Sequence, residues 1–480
     1  LGVLVVLAAY GVVMIYSATI NTLGLEDAVR RQVIYVAVGT VVLLLTASVD
    51  YRLLDIMQQP IRFLSPLVLA LVNVGLVIVW RLGQLEVVPA APTVDLFLGD
   101  LPVMLAGIVL VIAVFAADRV WLENLNLATG RLALVAGAIL VAGAAYLALS
   151  RSSAGSAPVL DAYLQIGAVA IIYLVDCLTL RFTDTLRNLL YVSILVLLGI
   201  VFLIGEVSGG AQRWLGAGTV QPSELSKILL IIVLAKFLAD REQDGEMGRF
   251  STMLISLGLV ALPMLLIYLQ PDLGTALSLG ATWLAMVWMA GIPLRYMLLL
   301  GGGAVAALPL VWMNLEVYMR ERLLLFVNPN NDPDAYFNVH QALVSIGSGG
   351  WGGKGLTHGS QSQLHFLRVR HTDFIFAVTA EELGILGAVA MIGLLSLLLW
   401  RILAVAERSR DTFGRLLCAG VAGLILFQTA VNVGMNVGLM PVTGIPLPFV
   451  SYGGSSFLTL MVGIGLVESV AMRHKKLEFD

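Results

Sequence analysis

Uninterrupted apolar runs constrain this chain more than any other feature. From residues 1–17 to residues 457–470, stretches of Leu, Val, Ile, Ala and Gly recur at close to bilayer-spanning length, about 20 residues for a helix. About fourteen such runs satisfy the spanning-length rule. In a lipid interior each backbone N–H and C=O must be bonded within the protein, so runs of this kind read as helices. The chain is 59% hydrophobic and 12% charged, with a mean hydropathy of +0.94. A water-soluble fold could not cover that much apolar surface. The expected fold is all-α, a polytopic transmembrane helical bundle.

A net charge of −3 with no basic block argues against a nucleic-acid partner. Cys177 and Cys418 both lie inside apolar runs, so no disulfide framework is indicated. The first run starts at Leu1 without a basic leader or a small-residue cleavage site, and reads as the first membrane helix of a chain whose natural N-terminus is trimmed. Arg52, Arg181, Arg241, Arg408, Lys475 and Lys476 gather on one side if every run crosses. By the positive-inside rule that side is cytoplasmic, together with both termini. Residues 314–373 then form one large extracytoplasmic loop. Residues 60–180 carry few polar groups at membrane depth and read as lipid-embedded scaffold, with Asp176 near Arg181 as a structural pair.

Ionisable residues at membrane depth are costly, so they point to function. Gln221-Pro222-Ser223-Glu224 opens a helix, and Lys227 follows Glu224 by one turn on the same face. Helix-start chemistry accounts for Pro222 and Glu224. It does not account for Lys227, which enters an apolar helix where scaffold would use Leu. Asp272, within Gln270–Thr275, reads either as the cap of another helix or as a site residue.

The loop 314–373 holds Arg320, Arg322, Lys354, Arg368 and Arg370, with His340, His358, His365 and His371. Forked Arg donors and a Lys point charge suit a pyrophosphate at the membrane surface; the plainer reading is a solvated loop. Gly347, Gly349 and Gly352 satisfy G-x-G-x-x-G, but no strand precedes them. A Walker A loop fails as well, because Gly355 follows Lys354 where Ser or Thr is needed. What remains is a flexible backbone able to approach a ligand closely. The histidines lack paired metal-ligand spacing, which argues against zinc. Asp373, at the junction of loop and helix, either caps that helix or acts as a general base at headgroup depth. Glu381 and Glu382, two turns further along, need partners, and Lys227 is a candidate.

Taken in order, these strings resemble the SEDS family, the shape, elongation, division and sporulation proteins that include RodA and FtsW. Gly210–Trp214 followed by Gln221–Glu224 is similar to one signature and Gln270–Ala276 to another. Ile346–Gly350, Gly353-Lys354-Gly355, Gly359–Ser362, His371–Val378 and Glu381–Gly384 carry the strongest likeness. Asn432–Met435, Gly444–Phe449 and Ser451–Ser455 complete it. The likeness covers the first two helices and everything from about Arg187 onward. It implies ten core helices, divided as residues 1–59 and 181–480, with 60–180 inserted as about four more. The family has Pro-Glu where this chain has Arg368-Val369, so an acid near the site is missing.

The resemblance further implies a peptidoglycan glycosyltransferase that polymerises lipid II onto a growing glycan strand, with a class B penicillin-binding protein as transpeptidase partner. Asp373 matches the essential acid of the family's outer cavity, and Glu224 and Lys227 match a functionally sensitive pair. In the expected reaction Asp373 takes the proton from the acceptor GlcNAc 4-hydroxyl. That oxygen attacks the anomeric carbon of the lipid-linked MurNAc with inversion, and undecaprenyl pyrophosphate leaves. Arg213, Lys227, Arg320, Arg322, Lys354 and Arg370 form the pool for the leaving charge, with Glu224 and Asp272 as further substrate-binding residues. A divalent cation, Mg or Mn, fits this chemistry without being demanded by it. The alternatives are a lipid II flippase and a non-catalytic scaffold for a synthase.

Overall fold

A computed structural model describes residues 1–20, 27–52, 185–204, 206–208, 211–214, 221–303, 320, 324, 326 and 333–473. The chain divides into two units, Leu1–Asp55 with Ile194–Asp480, and Ile56–Ser193. The block 60–180, the Asp176–Arg181 pair, Arg322, and the tail residues Lys475 and Lys476 lie outside the described residues. The helix Thr185–Ile204 begins in the second unit and ends in the first.

Among the described residues the helices are α1 (Gly2–Thr19), α2 (Ala28–Ser48), α3 (Thr185–Ile204), α4 (Pro222–Gln243), α5 (Phe250–Tyr268) and α6 (Leu273–Met289). They continue with α7 (Pro333–Gly349), α8 (Ser360–Gln363), α9 (Ile375–Arg408), α10 (Thr412–Asn436) and α11 (Gly454–Met472). Helices α1, α2, α5, α9, α10 and α11 are long and apolar enough to cross a membrane. This is a multi-pass helical membrane protein. The all-α expectation holds, with one short ribbon beside the helices. Strands β1 (Glu206–Ser208) and β2 (Ala211–Trp214) form an antiparallel ribbon, with Val207 opposite Gln212 and Ser208 opposite Ala211. Nor is 314–373 a bare loop, since α7 and α8 fold within it.

Helix α4 is the centre of the bundle, touched by α5, α6, α10 and α11. Its apolar residues run all the way round, as a helix enclosed on every side requires, and Ile228, Leu230, Ile231, Val233 and Leu234 are buried. The ions it carries inward are paired: Lys227 with Glu224 at 2.7 Å and Lys236 with Asp240 at 2.8 Å. Between membrane helices, glycine lets backbones approach. A Cβ on Gly420 would press on Ile231 and Met286, and one on Gly463 on Ile228. Outward-facing Leu45, Leu265, Leu386 and Val389 are exposed, as suits residues that meet lipid tails.

Helix α9 is broken at Gly384, whose φ of 68° and ψ of −167° interrupt the ladder. The backbone groups freed by the break are taken up by the glycine run. Lys354 N donates to Glu381 O at 3.0 Å and Gly355 N to Glu382 O at 2.9 Å. In return Ile385 N donates to Gly350 O at 2.9 Å and Leu386 N to Trp351 O at 3.3 Å. A Cβ on Gly353 would overlap the Glu382 carbonyl, and one on Gly349 the Ala380 carbonyl. The expectation that this run approaches a ligand is therefore corrected: its close approach is to the backbone of α9.

Candidate active site

Several separate elements bring their polar residues to one cavity of about 460 Å³. Strand β2 supplies Arg213 and Trp214, the start of α4 supplies Gln221, Glu224 and Lys227, and the turn before α6 supplies Asp272. Thr372 and Asp373 come from the turn before α9, Gln428 from α10, and Thr443, Gly444 and Tyr452 from the connection between α10 and α11. A cavity of this size, apolar in part with a few convergent polar groups, is what a ligand site requires.

Asp272 caps α6 and also lines the cavity. Its Oδ1 accepts from Thr275 N at 3.0 Å, which caps α6. Its Oδ2 accepts from Thr275 Oγ1 and Gln221 Nε2, each at 3.0 Å, and stands 3.6 Å from Arg213 NH1. Asp272 thus holds Arg213 and Gln221 on the cavity wall. Glu224 and Lys227 are almost wholly buried, at 4% and 2% exposure, and paired at 2.7 Å. Buried polar atoms are normally bonded. Here Glu224 Oε2, Arg213 Nε, Gln428 Oε1 and Thr443 Oγ1 are buried without a partner, and all four residues line the cavity. Such atoms are ready to receive a polar ligand.

Asp373 is half-buried and lines the same cavity. It does not cap α9. The cap position is Phe374, which offers no side-chain bond, and Ala377 N donates instead to Asn436 Oδ1 at 3.2 Å. The Asp373 carbonyl accepts from Asn432 Nδ2 at 3.1 Å and Asn436 Nδ2 at 3.0 Å. Ser451 Oγ donates to Thr372 O at 2.6 Å, and Tyr452 N to His371 O at 2.9 Å. The His371 ring meets the edge of Tyr452 at 5.7 Å. Burial, and then the Arg370 charge, hold the His371 pKa below its usual value.

Sequence reasoning placed more cations here than the fold delivers. Lys354 Nζ is bound to Glu381 Oε1 and Ser360 Oγ, each at 2.8 Å. Arg370 is buried at 5% exposure and donates to Ala18 O at 2.6 Å. Neither lines the cavity, nor does Arg320, while Arg322 is outside the described residues. For Lys354 the cause is the two carboxylates on α9, which are 0% exposed and require donors of their own. Glu381 takes Lys354, with the backbone N–H groups of Gln361 at 2.8 Å and Ser362 at 3.1 Å. Glu382 takes Ser17 Oγ, Ser362 Oγ at 3.3 Å and Gln363 Nε2 at 3.2 Å. Lys227, the partner suggested from sequence, is committed to Glu224. At the position where this chain departs from the family, Val369 lines the cavity and Arg368 stacks over Phe337 at 5.7 Å.

Among the described residues no three of His, Cys, Asp and Glu come together as a metal-binding group. Both oxygens of Asp272 are engaged in side-chain and cap bonds. Sequence reasoning missed Asn436 and Gln428 altogether, and gave no role to Asn432 or Ser451 although both stood in matched strings.

Known proteins match most of this chain. The family of cell cycle proteins typified by FtsW, RodA and SpoVE matches residues 123–476, so the match reaches into the 60–180 block and leaves out the first two helices. The peptidoglycan glycosyltransferase MrdB of Escherichia coli (strain K12) is 41% identical over 295 residues, covering 60% of this chain and 78% of MrdB. Stage V sporulation protein E of Bacillus subtilis (strain 168) is 35% identical over 314 residues, 64% of this chain and 84% of that protein. A solved chain from a peptidoglycan synthase complex, described as coordinating polymerization and crosslinking, superposes with a TM-score of 0.51 at 36% identity, covering 70% of this chain and 98% of that one. The family match spans well over half of the sequence, and the chain belongs to the FtsW, RodA and SpoVE family of cell cycle proteins.

Proposed function

We propose that this chain is a peptidoglycan glycosyltransferase that polymerises lipid II, with Asp373 as its general base. The observation that carries the reading is the meeting of Asp373, Arg213 and the Glu224–Lys227 pair in one cavity. The cavity faces the extracytoplasmic side of the bacterial cell membrane, where lipid-linked sugars are available while their tails stay in the bilayer. Asp373 takes the proton from the 4-hydroxyl of the acceptor GlcNAc. The oxygen attacks the anomeric carbon of the MurNAc donor from the face opposite its pyrophosphate, inverting that centre. Undecaprenyl pyrophosphate leaves toward Arg213 and Lys227, the cations that line the cavity among the described residues. The relatives' names and the synthase-complex neighbour support this reaction. They also support a transpeptidase partner, which we take to be a class B penicillin-binding protein.

The test is polymerisation of purified lipid II by the full chain, with and without the partner, read as glycan ladders on a gel. Asp373→Ala should lose about 10²–10⁴-fold in rate while eluting and unfolding like wild type. Failure of a well-folded wild-type complex to make polymer would reject the enzyme and bring forward a flippase. Full activity in Asp373→Ala would leave the enzyme but remove its base.

A further inference from the structure

An amide inside a membrane helix is costly unless something bonds to it, because hydrocarbon offers no partner. Gln428 lies in α10, after Leu424 and Ile425 and before Val431, all of them buried, and about two turns before the helix ends at Asn436. It is 1% exposed, and among the described residues its Oε1 has no partner. The same helix shows how such an amide is spent on structure. Asn432, one turn further on, donates to Asp373 O at 3.1 Å and to Ile445 O at 2.8 Å. Gln428 lines the cavity instead.

The unpartnered atoms of the cavity sort by kind. Glu224 Oε2 and Gln428 Oε1 are acceptors, Thr443 Oγ1 serves either way, and Arg213 Nε is a donor. The acceptors stand on α4 and α10, and the donor on β2. A phosphate only accepts, so it suits Arg213 and leaves the acceptors unanswered. The lipid-linked sugars proposed as substrate carry a different polar group, the 2-acetamido substituent. Its N–H answers Gln428 Oε1, and its carbonyl accepts from the Gln428 amide or the Thr443 hydroxyl. Its methyl suits Leu273 and Ile445, which line the same cavity. We infer that Gln428 is a specificity-determining residue that, with Thr443, holds the 2-acetamido group of a substrate sugar. The inference rests on the glycosyltransferase reading of this cavity. GlcNAc and MurNAc both carry the group, and the test separates them.

The experiment uses the full chain with its transpeptidase partner and measures kcat/KM for polymerisation. The substrates are lipid II, lipid II with the GlcNAc acetamido group replaced by hydrogen, and lipid II with the MurNAc group so replaced. Gln428→Met keeps the shape of the side chain and removes its amide. On lipid II it should lower kcat/KM by about tenfold, roughly the worth of one hydrogen bond. Wild type should lose about tenfold on one of the two analogues. Gln428→Met should lose less than about twofold further on that analogue, because the contact is already gone. The analogue that behaves so names the sugar. Inhibition by undecaprenyl pyrophosphate, which has no sugar, should stay within about twofold of wild type. If Gln428→Met does not fold, Thr443→Val carries the same comparison.

Losses that add on both analogues, as an amide bracing α10 from within would give, would overturn the sugar contact and leave the enzyme standing. Weaker inhibition by undecaprenyl pyrophosphate in Gln428→Met would overturn it in favour of a phosphate contact. No polymer from the wild-type complex on lipid II would overturn the glycosyltransferase reading and this inference with it.

Discussion

Two buried polar clusters, one lined by Asp373 and the other built on Glu381 and Glu382 further along the same chain segment, differ in completeness. In the cluster around Glu381 and Glu382 each carboxylate oxygen has a donor: Lys354, Gln361, Ser362, Gln363 or Ser17. In the cavity, Glu224 Oε2, Gln428 Oε1, Thr443 Oγ1 and Arg213 Nε have none. The two clusters draw on similar residue types and carry a similar desolvation cost. Satisfaction separates them. A closed network rigidifies the backbone that holds it, and an open one keeps bonding capacity for a ligand.

The sharpest way to break this comparison is to remove a carboxylate from the closed cluster. Glu381→Ala would leave Lys354, and the N–H groups of Gln361 and Ser362, without their acceptor. Breaking a buried pair costs about 3–5 kcal/mol, and the partial exposure of Lys354 sets the expectation near about 3. The midpoint of thermal unfolding in detergent should fall markedly, and activity should fall only as folded protein is lost. Unchanged stability with a dead enzyme would move Glu381 into the site.

A smaller effect is expected on the open side. Glu224→Gln is nearly isosteric and retains an acceptor for Lys227, which stands 2.7 Å from Oε1, but removes the charge. Polymerisation should slow by about tenfold, or about 1.4 kcal/mol in barrier, with an unfolding midpoint close to wild type. If the midpoint instead falls as far as in Glu381→Ala and the rate per folded molecule is unchanged, Glu224 is scaffold and the contrast fails.

What could be read from sequence follows the same division. Glu224 and Lys227 were legible because charge is expensive among membrane helices, Asp272 and Asp373 because acids stand where helices begin, and Arg213 only through the family resemblance; each of them lines the cavity. Lys354 and Arg370 were legible as cations but not as structural ones, because their partners Glu381 and Ala18 are far along the chain. The glycine run misled for a physical reason: glycine permits close approach to a ligand or to a backbone alike, and only the break at Gly384 decides which. Strands of three and four residues carry no usable alternation, so the ribbon Glu206–Trp214 left no signal. Asn432 and Asn436 are uncharged and sit on an apolar helix, where nothing local shows that their acceptors and donors lie some sixty residues upstream at Asp373 and Ala377.

The smallest expected effect falls at the hinge between the two clusters. Arg370 is tied to the closed one through Ala18, and Asp373 belongs to the open one, with His371 between them. Burial, and secondarily the Arg370 charge, lower the His371 pKa from its usual 6.5. The folded protein therefore holds His371 neutral where the unfolded chain would already bind a proton. Its contribution to stability is complete above the unfolded value and is lost as pH falls through the lower, folded one. Acidification below about pH 6.5 should thus lower the unfolding midpoint of wild type. His371→Gln, which cannot titrate, should be less sensitive over the same range. Equal sensitivity in the two proteins would place the acid response in the carboxylates on either side and leave His371 as packing against Tyr452.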